Sequence, residues 1–263
     1  MTNRLYYYDS YLTDFQAQVV DSSTDRKRIY LDRTAFYPTS GGQPFDLGKL
    51  GGVPVTEILD EDDRIAHLLS APLEDTEAAC QVDWIRRFDH MQQHTGQHLL
   101  SAVFLELLNA PTVSFHLGAD SATIDLGCPA LDSEQIRKIE DRANQVVFEN
   151  RPVTISFEDQ AQYLGLRKPS ERPGELRVIS IQDLDRSACG GTHVRATGEI
   201  GPILLRARSE ETLRELVALL ARSIEARLAC IGVPFRAHKY LAAVFFNMPI
   251  RCGTHAARGA DRR

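Results

Sequence analysis

The spacing of apolar residues divides the chain into a β-rich start and a remainder that contains helices. Residues 1–85 hold short runs of β-branched and aromatic residues, such as QAQVVDSS and KRIYLDRT, separated by polar or Gly/Pro turns. Runs of this length between turn residues are typical of strands with tight connections. We therefore predict a small β-barrel or meander over residues 1–85.

From Trp84 onward the apolar residues recur at the helical period. The segment WIRRFDHMQQHTGQHLLSAVFLELLNAP predicts a helix that ends before Pro111. A second helix is predicted over LDSEQIRKIEDRANQVVFENRP, with Asp132 or Ser133 as its N-cap, and a third over residues 209–229. The apolar residues of the first helix, which lie mostly at helical spacing, are Ile85, Phe88, Met91, Leu99, Val103 and Leu107.

Shorter segments with alternating apolar residues lie between and after these helices. SATIDLG, PVTISFED, ELRVISIQ and EIGPILLRA predict strands. SACGGTHV predicts a loop, because two adjacent glycines disfavour regular structure. Strands and helices come in blocks without a repeating β-α-β order, so the predicted fold class is α+β.

The composition indicates a soluble globular protein. Of its 263 residues, 43% are hydrophobic and 25% are charged, which is ordinary for this class. No stretch approaches the roughly 18 apolar residues that span a bilayer, and the start lacks the apolar run of a signal peptide. We therefore expect a cytoplasmic protein without a membrane partner. Five cysteines at irregular spacing predict thiols or metal ligands instead of disulfides.

Charge is distributed unevenly along the chain. The formal net charge is −6, with −12 in residues 1–200 and +6 in residues 201–263. A polyanionic partner would meet the basic C-terminal region, although an ordinary solvated surface has the same composition. Charge alone does not decide between these two interpretations.

Two pairs of potential metal ligands share the same spacing. His94 and His98 lie four residues apart on the first predicted helix, so both project from one face. Cys189 and His193 repeat this spacing in the glycine-containing loop. Three imidazoles and a thiolate match the preference of Zn²⁺, and we predict one zinc per chain. Thr95, not Glu, follows His94, so the metalloprotease motif H-E-x-x-H is absent.

The number of ligands leaves the role of this zinc open. Sites closed by four protein ligands are usually structural, whereas catalytic sites keep one position open. The long separation between His98 and Cys189 favours a site assembled in a cleft of the fold, because small zinc fingers hold their ligands closer together in sequence.

The stretch TAFYPTSGGQPFDLG is a candidate substrate-binding loop. Gly41 and Gly42 allow the backbone to turn tightly and to approach a ligand. Thr39 and Gln43 offer a hydroxyl and an amide to a small polar substrate. The loop is not a phosphate loop, because no Lys-Ser/Thr pair follows it. A plain surface loop between strands is the alternative.

Three motifs in this order resemble the free-standing alanyl-tRNA editing proteins, the AlaX family, and the editing domain of alanyl-tRNA synthetase. They are TAFYPTSGGQPFDLG, DHMQQHTGQHLLSA and SACGGTHVRATGEIGPI. The resemblance runs from about residue 30 to about residue 205. It implies a translation-factor-like N-terminal β-barrel over residues 1–85 and an α+β zinc-containing editing core over residues 86–232. A basic C-terminal tail, residues 233–263, follows.

The resemblance also implies a function. The chain would deacylate mischarged Ser-tRNA(Ala) or Gly-tRNA(Ala) in trans, spare Ala-tRNA(Ala), and need no obligate protein partner. The loop with Gly41, Gly42 and Gln43 would close over the aminoacyl group, and Thr39 would sense the serine hydroxyl. We assign no protein base: the zinc either activates a bound water or orients the ester.

Two other classes of function remain open at this point. One is a tRNA-binding module with a structural zinc, and the other is a zinc-dependent esterase of a small molecule. A threonyl-type editing domain is a nearer competitor, which shares the paired ligands but not the FYPTSGGQ loop.

Overall fold

The computed structural model describes residues 1–118, 122–159, 165–168, 174–207 and 244–248. The helix predicted over residues 209–229 lies outside the described residues, as does most of the predicted tail. Among the helices that are described, none has the length and hydropathy needed to cross a membrane.

Eight strands occupy the first part of the chain. They are β1 (Asn3–Arg4), β2 (Asp14–Ser22), β3 (Arg28–Leu31), β4 (Arg33–Thr34), β5 (Gly48–Leu50), β6 (Val53–Glu61), β7 (Arg64–Leu69) and β8 (Glu77–Val82). Six of them close into an antiparallel barrel in the order β2-β3-β7-β6-β5-β8, and β8 pairs back onto β2. Alternate residues of β8 point inward, which buries Ala78, Cys80 and Val82 in the barrel core.

The first helix, α1 (Trp84–Leu108), begins two residues after the barrel ends. The Asp83 carboxylate accepts hydrogen bonds from the free N–H groups of its first turn, and Asn109 in the left-handed conformation ends it. The middle of α1 is buried, but Ile85 is 69% and Leu107 43% exposed. Both ends of the helix therefore extend past the core.

The remaining elements form a second layered unit around α1. They are β9 (Thr112–Leu117), β10 (Ala122–Leu126), α2 (Ser133–Glu149), β11 (Val153–Glu158), β12 (Leu176–Ile181), β13 (Asp185–Ala188), β14 (Ile203–Ala207) and β15 (Val244–Met248). One sheet has the order β14-β15-β10-β9 and the other β11-β12-β13. Asp132 caps α2 in a reciprocal box with Gln135. The mixed helix-and-strand class predicted from the sequence is confirmed.

A fully buried ion pair joins α1 to the barrel. The Arg87 guanidinium binds both carboxylate oxygens of Asp46 and donates to the carbonyls of Ser10, at 2.8 Å, and Ala35, at 2.5 Å. Asp46 in turn accepts from the Tyr37 N–H at 2.6 Å. Because Asp46 follows the glycine loop and Arg87 lies two turns before His94, this pair fixes the loop relative to the helix that carries two predicted ligands.

Candidate metal centre

The structure brings the four predicted ligands together. α1 supplies His94 and His98, and the loop after β13 supplies Cys189 and His193. One potential ligand atom from each of the four side chains lies within 4.8 Å of the others. The Cys189 Sγ is 3.4 Å from the Nε2 atoms of both His94 and His193. The three imidazoles are buried.

The remaining ring nitrogen of His98 faces a carboxylate. Its Nδ1 lies 3.1 Å from Asp185 Oδ2. Asp185 is itself held by Arg167 Nε at 2.7 Å and by the Ser187 hydroxyl. A carboxylate accepts hydrogen bonds, so Nδ1 of His98 carries a proton, and Nε2 presents its lone pair when the ring is neutral.

The contact with Thr95 likewise determines which ring nitrogen of His193 carries the proton. The Thr95 hydroxyl donates its only proton to the Met91 carbonyl at 2.8 Å. Towards His193 Nδ1, at 3.1 Å, it therefore acts as an acceptor. His193 is thus protonated on Nδ1, and its Nε2 lone pair faces the cluster. Thr95, the residue that excludes the metalloprotease motif, therefore orients the predicted ligand His193.

The third imidazole, His94, faces the Gln43 amide oxygen. Its Nδ1 lies 2.8 Å from Gln43 Oε1, which also accepts from the Thr192 N–H at 3.1 Å. An amide oxygen accepts only, so His94 is the donor. In their neutral forms, all three histidines would therefore direct Nε2 lone pairs towards the cluster that contains the Cys189 sulfur. Three imidazole nitrogens and one sulfur are a donor set suited to Zn²⁺.

The electrostatics favour the ligand forms of His94 and Cys189. Burial, together with the charge of Arg177, lowers the pKa of His94 to about 3, which keeps it neutral. Burial alone would raise the pKa of Cys189, but contacts with His98, the Gly191 N–H and Arg177 hold it below its usual value. A neutral imidazole and a thiolate are the forms that bind a metal.

Arg177 shapes the loop that carries Cys189. Its Nη1 donates to the carbonyls of Cys189, at 2.7 Å, and Gly191, at 2.9 Å, and its Nε donates to the Tyr7 carbonyl at 2.9 Å. The loop then runs so close to α1 that a Cβ on Gly191 would overlap the His94 ring. Only glycine fits at this position.

The glycine loop packs against the second unit through its backbone. Gly41 and Gly42 have φ values of 55° and 85°, in the left-handed region. A Cβ on Gly42 would lie 2.7 Å from the Phe115 carbonyl, and the Leu117 N–H donates to the Gly42 carbonyl at 3.2 Å. The loop is therefore fixed beside β9.

Of the two polar side chains predicted to bind substrate, the structure brings only Gln43 to the predicted ligands. Gln43 is fully buried and contacts His94 and Thr192. Thr39 is exposed, and its hydroxyl oxygen accepts from the Phe45 N–H at 3.1 Å. Its role as sensor of the serine hydroxyl stays a prediction.

Sequence reasoning missed the residues that orient the ligands. Asp185 and Thr95 had an available signal, since metal-binding histidines almost always donate their second N–H to a nearby acceptor. Asp185 lies four residues before Cys189, and Thr95 directly follows His94. Arg177 gave no such signal, because its charge stands alone within an apolar strand.

The sequence comparison with protein families gives one match in the second half of the chain. A model described as "Threonyl and Alanyl tRNA synthetase second additional domain" matches residues 176–214. This segment contains Cys189 and His193, together with the loop that Arg177 holds.

Longer matches are found among individual proteins. Alanyl-tRNA editing protein AlaX-M of Methanosarcina acetivorans is 35% identical over an alignment of 223 residues that covers 76% of this chain and 90% of that protein. Aarsd1-B of Xenopus laevis, also an alanyl-tRNA editing protein, is 34% identical over 227 residues, covering 84% of this chain and 55% of the relative. AlaX-L of Pyrococcus horikoshii is 36% identical, covering 77% and 54%. The chain thus spans about half the length of the last two relatives.

Proposed function

Because the chain belongs to the family of alanyl-tRNA editing proteins, we propose that it hydrolyses the aminoacyl ester of mischarged Ser-tRNA(Ala) in trans. Zn²⁺ bound by His94, His98, Cys189 and His193 would form the reaction centre. We base the metal on one observation above all: three imidazoles whose Nδ1 atoms are occupied by protein partners lie with a cysteine sulfur in one cluster, with ligand atoms within 4.8 Å of one another.

The two units of the chain would have different roles in the reaction. We propose that residues 1–85 act as a barrel that supplies the glycine loop, and that residues 86–232 are the editing core. The buried pair of Arg87 and Asp46 holds the loop at the helix that carries two ligands. Substrate would meet the centre beneath this loop.

Selection between serine and alanine requires an editing site that demands the hydroxyl. A pocket that accepts alanine cannot strongly reject a residue that merely adds a hydroxyl, since discrimination of this kind reaches only about a hundredfold. A site that hydrogen-bonds the hydroxyl loses about 1–3 kcal/mol for each buried group left unpaired by alanine. Thr39 is exposed in the free protein, and we propose that it becomes such a group when the bound aminoacyl end covers it. Its oxygen accepts from Phe45, and its own proton can be donated to a serine hydroxyl.

The chain's own residues prepare the centre for hydrolysis. A bound zinc would supply Lewis acidity towards the ester or a water. Asp185, Thr95 and Gln43 hold the Nδ1 protons, which keeps each ring in one orientation. Arg177 holds the loop that bears the thiolate through two carbonyls. An aminoacyl ester is intrinsically reactive, so positioning provides much of the rate gain.

We predict that Ser-tRNA(Ala) is hydrolysed at least about 10-fold faster than Ala-tRNA(Ala), because alanine leaves the hydroxyl-binding group unpaired. The measurement is release of labelled amino acid from tRNA(Ala) charged with serine, glycine or alanine. A serine ester without tRNA is the control for a small-molecule esterase and should react slowly. Equal rates with all three charged tRNAs would contradict the proposed selection.

The same assay tests Thr39 through Thr39→Val, which keeps the shape of the side chain. This variant should lose part of the preference for serine over alanine while its zinc content stays at the wild-type level. An unchanged preference would remove Thr39 from the substrate contacts.

A further inference from the structure

We propose that Gln43 is a positioning residue of the metal centre, which locks His94 and joins the glycine loop to the metal-binding loop as one unit. This inference rests on the proposed metal site. It assigns the Gln43 amide to the protein and not to the aminoacyl group.

The amide has one orientation that satisfies its surroundings. Gln43 Oε1 accepts from His94 Nδ1 at 2.8 Å and from the Thr192 N–H at 3.1 Å. Gln43 Nε2 donates to the Thr192 hydroxyl at 2.8 Å. A reversed amide would set its NH₂ group against the Thr192 N–H, donor against donor. The oxygen therefore faces His94, and the imidazole proton stays on Nδ1.

Both ends of this connection are anchored. On the barrel side, Gln43 and Ser40 exchange backbone hydrogen bonds at 2.9 and 3.1 Å. The neighbouring Gly42 carbonyl accepts from Leu117 of β9. On the other side, Thr192 directly precedes the ligand His193. One side chain thus contacts a ligand on α1 and the neighbour of a ligand on the loop.

The burial of Gln43 favours a positioning role over direct contact with the substrate. Gln43 is 0% exposed, and its oxygen and nitrogen both have partners within the protein. A buried amide with these partners affects the reaction through His94. Metal affinity should therefore change when Gln43 is replaced, whereas the preference for serine over alanine should not.

The connection also links the order of the loop to metal binding. A metal that requires His94 in one orientation favours the loop conformation that supplies the acceptor, and the coupling is reciprocal. Zinc should then slow hydrogen exchange of the backbone amides in residues 40–43. Conversely, changes that make the glycine loop more mobile should weaken zinc binding.

Two variants of Gln43 test this in the full chain. Gln43→Leu removes the acceptor, and zinc affinity measured by chelator competition should fall about 10–100-fold. Gln43→Glu keeps an acceptor for both N–H groups, so it should retain most of the affinity. Co²⁺ absorption should shift in Gln43→Leu, because the freed His94 ring changes the ligand geometry. Gln81→Leu, on the exposed face of β8, is the matched control and should match the wild type.

A change in the fold alone would give a different result. If Gln43→Leu lowered the melting temperature equally with chelator and with zinc, and kept the wild-type zinc affinity, the proposal would be overturned. If Gln43→Leu kept the wild-type zinc affinity but lost the preference for serine over alanine, the proposal would also be overturned. That result would indicate that Gln43 contacts the substrate. Absence of Ser-tRNA(Ala) hydrolysis by the wild type, with these zinc effects intact, would reject the proposed function and leave the role of Gln43 standing.

Discussion

Replacing Cys189 with alanine should remove zinc and editing activity together. The Cys189 Sγ lies 3.4 Å from two of the ligand nitrogens, and it is the only sulfur in the cluster among the described residues. Its loss takes away the only negatively charged group among the four predicted ligands. Changes to residues that only orient ligands reduce activity or affinity about 10–100-fold, so loss of a direct ligand should exceed about 100-fold.

Elemental analysis and the Ser-tRNA(Ala) assay on the same sample measure this effect. Cys128→Ala is the matched control, because Cys128 lies outside the cluster, and it should retain both zinc and activity. Circular dichroism would show whether Cys189→Ala is folded. A folded Cys189→Ala with full zinc content would remove Cys189 from the ligands.

Replacing Arg87 with methionine should lower the free energy of unfolding more than any other single replacement proposed above. Both side chains of the Arg87–Asp46 pair are 0% exposed, so the variant leaves the Asp46 carboxylate buried without its counter-charge. Breaking a buried pair in this way costs about 3–5 kcal/mol of the free energy of unfolding. Urea denaturation of the zinc-loaded protein measures the change. Arg33→Met, which breaks the exposed pair with Asp32, should cost less than about 1 kcal/mol.

A second variant shows whether the cost comes from the unpaired charge. Arg87→Met combined with Asp46→Leu should lose less stability than the sum of the two single variants, because neither charge then remains alone. Additive losses would mean that the pair contributes only through its other hydrogen bonds. A loss below about 1 kcal/mol in Arg87→Met would contradict the buried pair itself.

The sequence predicted the four potential ligands well because their spacing repeats on two elements. Two histidines one helical turn apart, and a cysteine and a histidine around two glycines, left few other groupings. The structure brings all four within 4.8 Å, whereas their binding of zinc stays a prediction. The resemblance to the alanyl-tRNA editing proteins is confirmed by the relatives.

The contacts that orient the predicted ligands could not be predicted from a local sequence pattern. Gln43 meets Thr192 across 149 positions of sequence, and His98 meets Asp185 across 87. The first contact depends on how the barrel docks on the second unit and the other on how β13 packs beside α1, and no local period encodes either. The loop predicted over SACGGTHV includes Ser187 and Ala188, which the structure places in the strand β13, because these two residues directly precede the cysteine and the glycines. The strand β9 follows Pro111 so closely that its segment received no assignment.

Restoring zinc to the metal-free protein tests the central claim most directly. The protein is stripped with a chelator, and Ser-tRNA(Ala) hydrolysis is measured while zinc is added in steps. We expect almost no hydrolysis without metal, a rise in proportion to added zinc, and a plateau at one zinc per chain. Full hydrolysis by the metal-free protein would contradict a zinc-dependent editing centre at His94, His98, Cys189 and His193.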